Sequence, residues 1–133
     1  MRVLALDYGS KRIGLALGDT NLRIALPFKS LKNTQKVFLE LSSILQEKGI
    51  DLILVGLPLT PSGKEGQRAE EVREFVEKLK AHLPEHVEVL LWDERYTTEE
   101  ALRLLDGQSL KKKRELKDCL SAYIILTEYL DTL

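Results

Sequence analysis

Residues 2–7, Arg2-Val3-Leu4-Ala5-Leu6-Asp7, leave the chain little choice of fold. Four aliphatic side chains in a row, without polar alternation, make a strand that is apolar on both faces. Such a strand belongs at the centre of a sheet covered on both sides. Four residues separate it from a second strand, residues 12–18, in which Ile13, Leu15 and Leu17 alternate with Gly14, Ala16 and Gly18. One of its faces is bulky and the other nearly bare, so a helix or a ligand backbone can approach closely there. So short a connection makes the two strands a hairpin. Residues 23–28 give a short third strand, antiparallel to the second, with Pro27 at its frayed end.

From there the hydrophobic period alternates between helix and strand. A helix is expected over 34–48, with Asn33 or Thr34 as N-cap, an apolar stripe of Val37, Phe38, Leu41, Ile44 and Leu45, and Gly49 as a left-handed stop. Residues 51–56 are a buried parallel strand by length and β-branching. The loop 57–66, with two prolines and two glycines, is irregular. A helix follows to about Leu83, with Val72, Phe75, Val76 and Leu79 on one face, then a strand over 87–92 and a helix over 97–105. A basic, polar stretch (107–113) precedes a last helix at 115–130. The order β-β-β-α-β-α-β-α-α predicts an α/β fold: a mixed five-stranded sheet, its first three strands antiparallel, with helices on both faces. The best-known layout with this order is the ribonuclease H-like topology. Without repeats, low-complexity tracts or linkers, residues 1–133 read as one domain.

Bulk properties narrow the function. Net charge is −1 with a pI of about 6.2, which argues against a generally basic nucleic-acid coat while leaving room for a local basic patch. Cys119 is the one cysteine, so neither a disulfide framework nor a cysteine zinc site is expected, and it reads as a small core residue. No apolar run reaches the roughly 18 residues of a membrane span, and no signal peptide is expected before the first strand. A reducing, cytoplasmic setting is expected, with no membrane partner.

Three acids stand at the ends of predicted elements. Asp7 closes the central strand, where an Asp also serves as a turn former; Gly9-Ser10 beside it makes a turn without help. Glu94 follows the strand 87–92. Thr97 with Glu100 fits a capping box, so Glu94 is not needed as a cap. It lies where ligands bind in open α/β sheets, although an exposed pairing with Arg95 is the plainer use for it. Asp118 falls in the first turn of the last helix, which the helix dipole favours on its own account. It also heads an apolar row continued by Ala122 and Ile125, and a partly buried acid needs a partner. Converging from strand, strand and helix, the three supply oxygen ligands suited to Mg²⁺ or Mn²⁺, one ion or two, at a phosphodiester cleavage site. They are the catalytic and metal-binding candidates.

Three groups of cations accompany them. Lys11 and Arg12 sit in the first hairpin. Lys64 and Arg68 flank Gly63/Gly66 at a helix N-terminus, itself an anion site. Arg95 adjoins Glu94, and Lys112, Lys113, Arg114 and Lys117 lead into Asp118. These are the substrate-binding candidates, although a run such as 111–114 is also what a solvated face looks like. Tyr8 and Tyr96 are the only aromatic residues near the acids, so recognition of the phosphate backbone is expected rather than base stacking. Trp92 reads as core. His82 and His86, separated by a helix end and Pro84, make a poor metal pair.

Four ordered motifs carry a resemblance that spans the chain. Asp7-Tyr-Gly-Ser-Lys-Arg-Ile-Gly-Leu-Ala, Val55-Gly-Leu-Pro-Leu with the later Gly63, Asp93-Glu-Arg-Tyr-Thr-Thr, and Lys117-Asp118 with Ser121-Ala122 and Ile125-Leu126 look like the YqgF (RuvX) family. These are bacterial ribonuclease H-like proteins related to the RuvC resolvase and regarded as pre-16S rRNA nucleases. The resemblance implies Asp7, Glu94 and Asp118 as catalytic carboxylates, and a metal-dependent endonuclease acting at the 5′ end of pre-16S rRNA. Ser10 stands where the family often has Thr, and Ser121-Ala122 where it commonly has Ala-Ala; neither departure is expected to touch a ligand. RuvC-type sites use four acids, and the fourth candidate, Asp93, points to the opposite face if the strand continues. The competing expectations are a Holliday-junction resolvase acting on branched DNA, which requires a dimer, and a non-catalytic nucleic-acid-binding or protein-interaction module. An actin-like or sugar-kinase ATPase needs two such domains, more than 133 residues supply. A monomer or weak homodimer is expected.

Overall fold

The computed structural model describes residues 1–94, 103, 106–107, 109–110, 113, 117 and 119–133. Within them the strands are β1 (Arg2–Tyr8), β2 (Arg12–Asp19), β3 (Ile24–Lys32), β4 (Leu52–Pro58) and β5 (Glu88–Glu94). The helices are α1 (Val37–Lys48), α2 (Gln67–Lys80) and α3 (Leu120–Asp131). The expected helix over 97–105, with its capping box, and the first residues of the last helix lie outside the described residues.

The sheet order is β3-β2-β1-β4-β5, with β1 central as its two apolar faces require. The β3–β2–β1 pairings are antiparallel, and β1–β4 and β4–β5 are parallel. Successive side chains alternate between faces. Leu4, Leu6, Ile13, Leu15, Ile53 and Val55 therefore pack under α1 and α2, whereas Val3, Ala5, Ala16, Leu52 and Leu54 pack under α3. The bare face of β2 is filled by α3. A Cβ added to Gly18 would stand 2.8 Å from Leu126 Cδ2, so the helix sits closer than a larger side chain would permit. No helix among the described residues is long and apolar enough to cross a membrane.

Several element ends differ from expectation. The third strand continues to Lys32, with Pro27 inside it and opposite Ala16, beside a register shift between Gly14 and Ala16. An edge strand tolerates the missing N–H, and the irregularity absorbs the misfit. Helix α1 starts at Val37, not at 34. Thr34 Oγ1 accepts the Lys36 N–H at 3.2 Å, and Asn33 is engaged elsewhere. Helix α2 stops at Lys80, and the next residues close a turn through the His82 N–H to the Leu79 carbonyl. The last strand runs two residues past 92, which places Glu94 on the sheet itself.

Candidate active site

Asp7, two residues beyond Ala5 on β1, emerges on the α3 face of the sheet. Gly56 on β4 and Glu94 on β5 share that face, in step with Leu52–Leu54 and with Trp92. Asp93 is exposed on the opposite face, as the strand alternation predicts, so it does not join them. The site is built on strand ends because parallel strands β1, β4 and β5 all finish at one edge of the sheet.

Asp7 is largely buried, and its carboxyl group is pushed up to about 7. Burial, which penalises the charged form, is the main cause, and the charge of Glu94 adds to it. The Arg68 guanidinium and a hydrogen bond from the Ser121 hydroxyl act in the opposite direction. Glu94 of β5, Arg68 of α2 and Ser121 of α3 thus all act on Asp7 of β1. Arg68, in the first turn of α2, also lines a cleft of about 600 Å³ with Tyr8, Gly9, Ser10, Lys11, Arg12 and Glu71. Two bonds hold the hairpin that forms this cleft: Asn33 Nδ2 donates to the Gly9 carbonyl at 2.9 Å, and the Asn33 backbone N–H donates to the Lys11 carbonyl at 2.9 Å.

Of the expected site residues, the structure sets Glu94 and Arg68 where their charges act on Asp7, and Lys11 and Arg12 with Arg68 in the adjoining cleft. Lys64 is not part of that lining. It belongs to a loop folded on itself, with the Thr60 N–H donating to the Lys64 carbonyl at 2.8 Å. Lys113 is partly buried and Lys117 exposed. Asp118, Arg95, Tyr96, Lys112 and Arg114 lie outside the described residues. Cys119 is buried, and Trp92 is half-buried against the α3 cluster, its Nε1 donating to Glu128 at 3.1 Å. His82 stacks on Phe38 with ring centroids 4.8 Å apart.

The expectation that Ser121 touches no ligand is corrected by its hydrogen bond to Asp7. No local pattern pointed to Ser121, because its partner stands near the other end of the chain. Gly56 was visible, because a glycine inside a strand marks a close approach.

Comparison with known proteins places these features. The family model RuvX, described as Holliday junction resolvase, matches residues 1–132. A protein of Sulfurihydrogenibium sp. (strain YO3AOP1) named "Putative pre-16S rRNA nuclease" is 42% identical over 132 residues, covering 99% of this chain and 91% of its own. A protein of the same name from Endomicrobium trichonymphae is 40% identical over 135 residues, covering 98% and 95%. The Fowlpox virus resolvase, solved with its substrate Holliday junction DNA, superposes with a TM-score of 0.70 at 12% identity, covering 99% of this chain and 98% of its own. T. thermophilus RuvC, in complex with a Holliday junction substrate, gives 0.61 at 14%, covering 99% and 94%. These last two likenesses establish the fold, the mixed five-stranded α/β architecture of RuvC-type resolvases.

Proposed function

The chain belongs to the RuvX family, and on that premise we propose that it is a divalent-metal-dependent endonuclease that processes the 5′ end of pre-16S rRNA in the cytoplasm. It is a hydrolase of phosphodiester bonds, working as a monomer or weak homodimer. The observation that carries this reading is the meeting of Asp7 and Glu94 at one sheet edge, with Arg68 beside them and the Lys11–Arg12 hairpin alongside.

The donor set fits a hard cation. Two carboxylates crowded in a largely buried place, one of them pushed toward neutrality, are relieved by an ion that takes oxygen ligands. Asp7, Glu94 and Asp118 would hold Mg²⁺ or Mn²⁺, one ion or two. When bound, the metal supplies Lewis-acid stabilisation of the charge that builds on a cleaving phosphodiester. The chain's own residues do the rest. The Ser121 hydroxyl and the Arg68 guanidinium favour the charged form of Asp7, against the stronger effect of burial and Glu94. Arg68, Lys11 and Arg12 receive the phosphates that flank the scissile bond, and Lys64, Arg95, Lys112, Lys113, Arg114 and Lys117 are the further candidates for phosphate contact. Contacts to the backbone, not base stacking, set the register.

Asp7→Asn and Glu94→Gln should each abolish Mg²⁺- or Mn²⁺-dependent cleavage of a pre-16S rRNA fragment while circular dichroism stays unchanged. Undiminished cleavage by either variant would sink the assignment. The family model's own description favours a second reading, a resolvase of four-way DNA junctions. Offering both substrates to the same preparation separates the two, since the rRNA nuclease cuts the precursor and leaves the junction whole.

A further inference from the structure

The sequence motif around Gly56 has no part in the chemistry just described, yet it lies between the two acids. Sheet order puts β4 between β1 and β5, so Asp7 and Glu94 come from strands that do not touch. Adjacent strands are about 4.8 Å apart, so a side chain from β5 must pass over β4 to approach one on β1. Gly56 is where it passes. A Cβ placed there would stand 2.6 Å from Glu94 Oε2 and 3.5 Å from the Glu94 carboxyl carbon, and 2.5 Å from Ile125 Cδ1 of α3. Backbone conformation does not explain the glycine. Positive φ among the described glycines is confined to Gly49, Gly63 and Gly107, and Gly56 has ordinary strand geometry that any residue adopts.

We propose that Gly56 is a positioning residue: its missing side chain is the gap through which the Glu94 carboxylate crosses β4 to face Asp7. Ile125 closes the same gap from the α3 side, so carboxylate and core methyl share the space of one absent Cβ. Even alanine there turns Glu94 away from its partner acid. This deepens the nuclease reading and rests on it for its consequence, while the crossing itself is a matter of sterics alone.

The test uses Gly56→Ala and Gly56→Ala/Ile125→Val, the second of which returns space to the core, with Ile125→Val as control. Both alanine variants should lose kcat on the rRNA precursor and Mn²⁺ affinity by calorimetry, each roughly 10–100-fold, with KM within about twofold. The double variant should melt close to the control. Full recovery of cleavage in the double variant would mean that Gly56 serves the core packing of Ile125, and would overturn the proposal. So would unchanged cleavage in Gly56→Ala. A third measurement needs neither metal nor activity. In the metal-free protein, Asp7→Asn should move the Glu94 carboxyl ¹³C resonance, and should leave it unmoved when Gly56→Ala is also present. Equal displacement in both backgrounds refutes the crossing. A wild-type protein that neither cuts nor binds Mn²⁺, yet shows the expected resonance pattern, refutes the nuclease reading and leaves the crossing intact.

Discussion

Asp7 illustrates what one residue at a sheet edge costs and provides. Its carboxyl group is raised from 3.8 to about 7 by burial and then by Glu94, against the pull of Arg68 and Ser121. Between those two values the unfolded chain has released a proton that the native state still holds. Stability of the metal-free protein therefore falls as pH rises from about 4 to about 7, and levels off above. Asp7→Asn removes that slope, so the variant should be more stable than wild type at pH 8 and nearly equal to it at pH 3.5. Urea denaturation at the two values, in chelator, checks this; an equal difference at both would assign the penalty elsewhere. Added Mn²⁺ should stabilise the wild type at pH 8, where Asp7 is charged, and not the variant. At this scale the sequence was partly legible. Asp7 and Glu94 stood out as acids at strand ends, but Ser121 did not, because its role depends on a partner near the other end of the chain.

Elements set the geometry in which such residues meet. The β1–β2 hairpin presents Lys11 and Arg12, and what holds it is the segment after β3: the two bonds from Asn33, one from the side chain and one from the backbone. The sequence suggested Asn33 as a helix cap, an equally good use of an Asn, and only the extension of β3 to Lys32 brings it to the hairpin instead. Asn33→Ala loses the side-chain bond to Gly9 and keeps the other. The expected outcome is a stability loss of about 1 kcal/mol. KM for the nucleic acid should rise while kcat holds, because the cations loosen and the acids do not. Steady-state kinetics check it, and a fall in kcat at constant KM would contradict it. Strand β5 teaches the same lesson from the other side. Its two extra residues fix Glu94 on the α3 face and Asp93 on the opposite one.

For the whole molecule, a net charge of −1 offers no general attraction to a polyanion, so binding rests on where the cations are gathered. The cleft lined by Lys11, Arg12 and Arg68 is such a place. Replacing Lys11 and Arg12 together by Ala should flatten the slope of log K against log salt by about 1.4 on single-stranded RNA, about 0.7 for each lost phosphate contact. An unchanged slope would remove them from the phosphate path. The architecture as a whole was open to reading because its determinants are local. Apolarity on both faces made β1 central, alternation assigned the faces of β2, and the change of period from strands to alternating helices gave the mixed sheet. Which side chains touch across those elements was decided only by the tertiary structure. Glu94 lies against Gly56 and acts on Asp7 by its charge, Ser121 bonds to Asp7, and Asn33 ties down the hairpin, each joining residues distant in the chain. The physical reason is that periodicity fixes which face a side chain points to. Contact depends also on strand order, on where each element ends and on the space left by a missing Cβ, and these exist only once the layers have packed.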